Sequence, residues 1–192
     1  MDFSSSISTS ISAHIDIAER VKAQLIPDIS LAGQKILEAF KENKKLFLIG
    51  NGGSAADAQH IAAEFTGRFL KERIPLPAIA LTTDTSALTA IGNDYGFEHL
   101  FSRQLAALAN KGDLLLAIST SGNSPNVIKA VELARERGLF IIGMSGNTGG
   151  KLKHLCDINL MVDHEITARV QEMHIMIGHL LCECVDSGFN SL

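Results

Sequence analysis

Cysteine is scarce in this 192-residue chain. The three that occur, Cys156, Cys182 and Cys184, are an odd number without the spacing of a disulfide framework. That argues against a disulfide-stapled scaffold and suits a reducing compartment, with the thiols acting as small buried hydrophobes. No apolar run approaches the ~18 residues that a membrane span requires, so no membrane partner is expected. The start of the chain is Ser-rich, with acidic Asp2 and no basic stretch ahead of an apolar core, which is not the pattern of a secretory signal. The expected location is cytoplasmic. Basic residues are also thin: 17 Lys and Arg against 21 Asp and Glu leave a net charge of -4. Without a dense cationic run no nucleic-acid partner is expected, because that affinity comes largely from phosphate neutralisation. An anionic ligand would have to be held by local hydrogen-bond donors.

What is present is a globular composition, 46% hydrophobic and 20% charged, in a length that reads as one domain burying roughly 70% of the surface of its unfolded chain. Five short apolar runs, Leu46 to Ile49, Ala78 to Leu81, Leu114 to Ile118, Phe140 to Gly143 and Ile158 to Val162, alternate with helix-patterned segments. Continuous rather than alternating apolar strands predict an α/β fold, a five-stranded parallel sheet covered by helices on both faces. Ligands of such sheets bind at the carboxyl ends of the strands. Ahead of the first strand, Ile7, Ile11, Ile15, Ala18, Val21 and Leu25 form one stripe along a long helix. Pro27-Asp28 is expected to end it, and a second helix from about 30 to 42 carries Ile36, Leu37 and Phe40. The narrow stripe fits either a second copy of the chain or the chain's own core. With no linker in sight, residues 1–192 read as a single domain, 1–43 a helical hairpin and 44–192 an α/β core.

Two loops at strand ends carry the chemistry. Ser119-Thr120-Ser121-Gly122-Asn123-Ser124-Pro125 places four hydroxyls in six residues, with a Gly for a tight turn and Pro125 at a favoured first helical position. That pattern predicts a phosphate cradle of hydroxyl and backbone N–H donors; a plain loop with Ser124 as helix cap would need one hydroxyl only. Asn51-Gly52-Gly53-Ser54 is a glycine turn with Ser54 as the expected cap, and by itself a weak signal. In the following helix Asp57, His60, Glu64 and Arg68 share a polar stripe. His60 and Glu64, four apart, can form an acid/base pair, hold a zinc-like ion, or be a solvated helix face. The last helix, about 167 to 186, sets Gln171, Glu172, His174 and His179 among apolar residues. Gln171 and His179 are about 12 Å apart along the axis, near the limit for sharing one ion. Gly92 to Phe97 reads as a turn offering Asn93 and Asp94, with Asp84 an earlier helix cap, while His14, His99, His154 and His164 have no partner at a useful spacing.

Taken together, Gly50 to Ser54, Asp57, His60 and Glu64, then Ala90 to Asp94, Ser119 to Ser124 and Arg169 to His174 resemble the sugar isomerase (SIS) fold, and within it the phosphoheptose isomerases, from about residue 45 onward. The resemblance implies conversion of D-sedoheptulose 7-phosphate to D-glycero-D-manno-heptose 7-phosphate for lipopolysaccharide or other surface glycans, by a homotetramer. It implies phosphate contacts from Ser119, Thr120, Ser121 and Ser124, and sugar contacts from Asn51, Gly52, Gly53, Asn93 and Asp94. It further implies one zinc per subunit at His60, Glu64, Gln171 and His179, with Glu64 and Gln171 also meeting substrate, Glu64 as base and His179 as acid. Many relatives carry an acidic residue before the Arg of the last motif, where this chain has Ala168 preceded by Thr167. The competing implication is a non-catalytic SIS protein, a phosphosugar sensor or a replication-initiator adaptor.

Overall fold

The computed structural model describes residues 2–189; the ends of the expected 1–192 unit, Met1 and residues 190–192, lie outside the described residues. In chain order the helices are α1 (Ser4–Gln24), α2 (Ile26–Lys41), α3 (Gly53–Thr66), α4 (Thr85–Tyr95), α5 (Leu100–Leu108), α6 (Pro125–Glu136) and α7 (Thr167–Ser187). The strands are β1 (Leu46–Ile49), β2 (Ala78–Ala80), β3 (Leu114–Ser119), β4 (Phe140–Gly146) and β5 (Ile158–Val162). All pairings are parallel, in the order β2-β1-β3-β4-β5. The order reverses between β1 and β3, so the crevice for a ligand opens between the loops that leave those two strands. Those are the two loops singled out by composition.

β1 and β5 fall where the apolar runs predict. β3 runs one residue further, through Ser119, and β4 three further, because Ser145 pairs in register with Ser119 and the Gly146 amide donates to the Thr120 carbonyl at 3.0 Å. The polar residues there are buried yet partnered: the Ser145 hydroxyl lies 2.9 Å from Asn159 Nδ2. An apolar pattern alone misses such strand ends.

Pro27 does not close α1. Helix α1 ends at Gln24, Leu25 joins it to α2, and Pro27 sits in the first turn of α2, where a missing N–H costs nothing. The expected stripe on α1 divides. Val21 and Leu25, with Ile17, join the core with Ile29, Ile36 and Phe40 of α2 and Met173, Ile177 and Leu181 of α7. Ile7, Ile11 and Ile15 are each 56% exposed. The packing that α7 achieves depends on small residues: a side chain at Gly178 would strike Ile61 of α3. Cys156 and Cys182 are packed thiols that burial pushes up to about 12, consistent with a packing role rather than a reactive one.

His174 on α7 is fully buried, with Nε2 3.1 Å from the Ser145 carbonyl and Nδ1 without a partner. Burial drives its pKa down to about 4 against the pull of that carbonyl. The unfolded chain therefore takes up this proton near pH 6.5 while the folded chain refuses it, so stability present above pH 6.5 is lost as the pH falls toward 4. The loss amounts to about 3 kcal/mol. Denaturant titrations between pH 7 and 4 should show that slope in the wild type and a flatter one in His174→Phe.

Candidate active site

The cradle is built at the end of β3. Gly122 has φ +64°, its amide donates to the Ser119 carbonyl at 2.9 Å and its own carbonyl accepts from Leu152 at 3.0 Å. A side chain there would run into the Gly149 backbone, so the left-handed turn requires glycine. The turn draws the buried Ser119 hydroxyl to 3.0 Å from that of Ser124 and 3.5 Å from that of Ser121. Ser124 precedes α6 and Pro125 opens it, as expected, but the Ser124 side chain makes no capping bond. It turns to Ser119, leaving the first N–H groups of α6 for an anion.

A cavity of about 280 Å³ opens here, lined by Asn51 to Ser54 on one side, Ser119, Thr120 and Ser124 on the other, and Thr167 and Gln171 of α7 across the top. No Lys or Arg among the described residues lines it, so an anion would be held by neutral donors and a helix terminus. Ser121 lines an adjoining polar cavity of about 340 Å³ that shares Thr120 and Thr167. A third, apolar cavity of about 470 Å³ lies on the far side of Asn51 and Gly52, walled by Leu88, Phe97, Leu100 and Phe101.

The loop after β1 differs from expectation in one detail. Gly52, with φ +54° and ψ -120°, is itself the cap of α3, so Ser54 lies buried in the first turn instead of capping it. A side chain at Gly53 would collide with the Gln171 carboxamide, so α3 and α7 touch at the cavity. The Asn51 carboxamide exchanges two hydrogen bonds with Asn126 of α6, at 2.8 and 2.9 Å.

Further along the same two helices, His60, Glu64 and His179 converge. His60 Nε2 is 2.9 Å from His179 Nε2 and 3.2 Å from Glu64 Oε1. One donor atom from each of the three residues lies within 4.8 Å of the others. Two imidazoles and a carboxylate so disposed suit a zinc-type ion, since the paired nitrogens can turn both lone pairs to a cation. Gln171, the other residue of the expected set, stands on the same α3–α7 seam with its carboxamide against Gly53. Phe69 stacks on the His179 ring, centroids 5.3 Å apart at 22°, and holds its plane. Nearby Asp57 has a buried Oδ2 without a partner, and burial pushes its carboxyl up to about 6 against the pull of His60. Arg68 drops out of the polar stripe because α3 ends at Thr66; it approaches Glu72 at 3.8 Å.

Other expectations are corrected as well. Gly92 to Tyr95 are the last turn of α4, capped by Asp84 as expected, and the turn comes only at Gly96 with φ +91°. Asn93 and Asp94 are exposed there, joined by a 2.8 Å bond. His14 does have a partner, Glu172 Oε2 at 2.8 Å, and His99 lies 3.2 Å from Lys129 Nζ. Spacing could not reveal contacts between α1 and α7. Thr167, not Ala168, lines the cavity. Residue-by-residue reading also passed over Phe69, Asn126 and the Arg73–Asp186 pair, whose partners lie far away in sequence.

Arg73 and Asp186 form a buried brace behind the trio. Arg73 Nε donates to Asp186 Oδ1 at 2.8 Å, and its other nitrogens donate to the carbonyls of Glu64 and Phe65, each at 2.8 Å. Asp186 Oδ2 accepts from the amides of Leu70 and Lys71 at 2.9 and 3.1 Å. The end of α3, which carries Glu64, is thereby tied to the end of α7, which carries His179.

The fold has counterparts among known proteins. The SIS domain model matches residues 11–146. The phosphoheptose isomerase of Campylobacter concisus is 57% identical over 165 residues, covering 86% of this chain and 87% of that one. That of Nitratiruptor sp. is 57% identical over 176 residues, covering 92% and 94%. The solved phosphoheptose isomerase of Neisseria gonorrhoeae superposes with a TM-score of 0.92 at 46% identity, covering 97% of this chain and all of the other. Matched in fold and along nearly its whole length, this chain belongs to the phosphoheptose isomerase family of SIS-domain proteins.

Proposed function

We propose that this protein is an aldose–ketose isomerase that converts D-sedoheptulose 7-phosphate to D-glycero-D-manno-heptose 7-phosphate through an enediolate, supplying heptose for lipopolysaccharide or other surface glycans. The observation that carries the reading is the seam between α3 and α7: Glu64 and His179 converge with His60 at one place, and a hydroxyl-lined cavity opens at another. Gly53 and His60 are about 10 Å apart along α3, so a long phosphosugar is anchored by its phosphate well away from its reacting carbons. A sensor or adaptor would leave the convergence of His60, Glu64 and His179 without a use.

Ser119, Thr120, Ser121 and Ser124 hold the phosphate with the N–H groups of α6, and that distant binding supplies positioning free energy at the reacting end. Asn51, Gly52, Gly53, Asn93, Asp94 and Gln171 orient the sugar. Glu64 takes the proton from C1 of the ketose and returns it to C2. His179 moves the hydroxyl proton between the two oxygens. A zinc ion, one per subunit, would be held by His60, Glu64, Gln171 and His179, and when bound supplies Lewis-acid stabilisation of the developing negative charge. The test is turnover of sedoheptulose 7-phosphate by the purified protein, with the product identified as the aldose. Binding without conversion when zinc is supplied would replace this reading with the sensor.

The same proposal includes a homotetramer in the cytoplasm, the chain acting as one unit from 1 to 192 with its helical hairpin as the assembly element. The exposed row Phe3, Ile7, Ile11 and Ile15, one face of α1 at four-residue steps, supports assembly, and the free thiols suit a reducing compartment. Ile11→Glu is expected to dissociate the oligomer in sedimentation or size-exclusion experiments and to lower turnover with it. An unchanged mass would remove α1 from the interface.

A further inference from the structure

We propose that Asn126 is a positioning residue for the isomerisation: by holding the Asn51 carboxamide from behind, it sets the spacing between the sugar-contacting loop after β1 and the phosphate cradle after β3. The inference rests on the reading of Asn51 as a sugar contact and of Ser119 to Ser124 as the cradle.

Asn126 stands at the second position of α6, directly after Ser124 and Pro125, and is 1% exposed. Its Nδ2 donates to Asn51 Oδ1 at 2.9 Å and its Oδ1 accepts from Asn51 Nδ2 at 2.8 Å. A buried carboxamide is costly unless its hydrogen bonds are met. The next buried positions of the same helix, Val127, Ile128 and Ala130, are apolar. What Asn126 obtains in return is a two-bond clasp on one residue that lies 75 positions earlier in the chain.

The clasp sits where the sheet stops holding the two loops together. β1 and β3 are paired in register up to Ile49 and Ala117. Beyond that point the chains part to form the crevice at the switch in strand order, and Asn51 is the second residue past the end of β1. The reciprocal amide bonds continue the cross-link one step further, from side chain to side chain. Asn51 keeps one N–H and one oxygen lone pair, enough to face the cavity that it lines. The Asn126 side chain hydrogen-bonds to Asn51 and to neither the cradle hydroxyls nor the trio, so its influence on the reaction runs through Asn51, and Asn126→Ala leaves its backbone N–H in the α6 terminus.

Because Asn126 and Ser124 share one helix terminus, the test must separate sugar placement from simple support of the cradle. Turnover of sedoheptulose 7-phosphate and inhibition by inorganic phosphate are measured with the zinc-loaded protein for wild type, Asn126→Ala, Asn51→Ala and the double variant, with thermal unfolding followed alongside. Asn126→Ala is expected to lower kcat/KM about tenfold or more, while the inhibition constant for inorganic phosphate stays within about twofold. In the Asn51→Ala background the same change should add no further loss, the non-additivity of residues that act as a unit. Where turnover of Asn51→Ala falls below detection, calorimetric binding of the phosphosugar closes the cycle. Asn126→Ser, which keeps a donor and an acceptor, gives the same division between the two ligands should the Ala variant not fold. A phosphate affinity that weakens in step with kcat/KM, an undiminished loss in the Asn51→Ala background, or no loss at all would overturn the proposal. A wild type that binds sedoheptulose 7-phosphate without converting it would instead overturn the isomerase reading.

Discussion

Glu64→Gln is expected to reduce turnover of sedoheptulose 7-phosphate by roughly 10³-fold or more while inorganic phosphate still binds, and His179→Gln to do the same. The amide keeps the volume and the contact with His60 but cannot accept a proton from carbon. The cavity meets α3 at Gly53 and Ser54, about three helical turns before Glu64, and the cradle is built from other residues. Because the two proton transfers serve the same enediolate, the double variant should be little worse than either single one. Zinc measured in each protein divides the roles. Retained metal with lost turnover marks Glu64 as the base, and metal lost with turnover marks it first as a ligand. Appreciable turnover in both variants would remove them from the acid/base pair.

Asp186→Ala should cost about 3 to 5 kcal/mol of stability. The pair is buried, with side chains 1% and 3% exposed, so removing the carboxylate strands a guanidinium and two amides together. Burial by itself would raise the Asp186 carboxyl, but Arg73 and the Leu70 and Lys71 amides outweigh it and hold its pKa below the ordinary carboxylate value. Its contribution is thus complete above the ordinary value and fades only in acid, as the pH falls through the folded one. A paired apolar replacement, Arg73→Met with Asp186→Leu, often recovers such a loss elsewhere. Here it should not, because Arg73 also satisfies the carbonyls of Glu64 and Phe65. Chemical denaturation of the three variants checks this, and full recovery in the double variant would show that the carbonyl bonds contribute little.

Much of the fold was legible without coordinates because burial on both faces writes a parallel strand as an unbroken apolar run. Leu46 to Ile49 and Ile158 to Val162 matched to the residue. The end of β4 was not legible, since Ser145 and Gly146 carry no apolar signal and are held by pairings to β3. In the site, the hydroxyls of the cradle announced themselves by density. Asn126, Phe69, Arg73 and the His14–Glu172 contact did not, because each is defined by a partner from another element.

The sequence by itself determined the α/β class, the two loops that flank the crevice and the residue types available for anion binding and proton transfer. These follow from periodicity and composition, which act over a few neighbouring residues. Only the tertiary structure decided that His60, Glu64 and His179 meet and that Gln171 lines the cavity against Gly53. It also divided the stripe of α1 between Val21 and Leu25 in the core and Ile7, Ile11 and Ile15 at the surface. Both depend on how α3 and α1 pack on α7, and contacts between helices distant in sequence leave no mark on the spacing within either one.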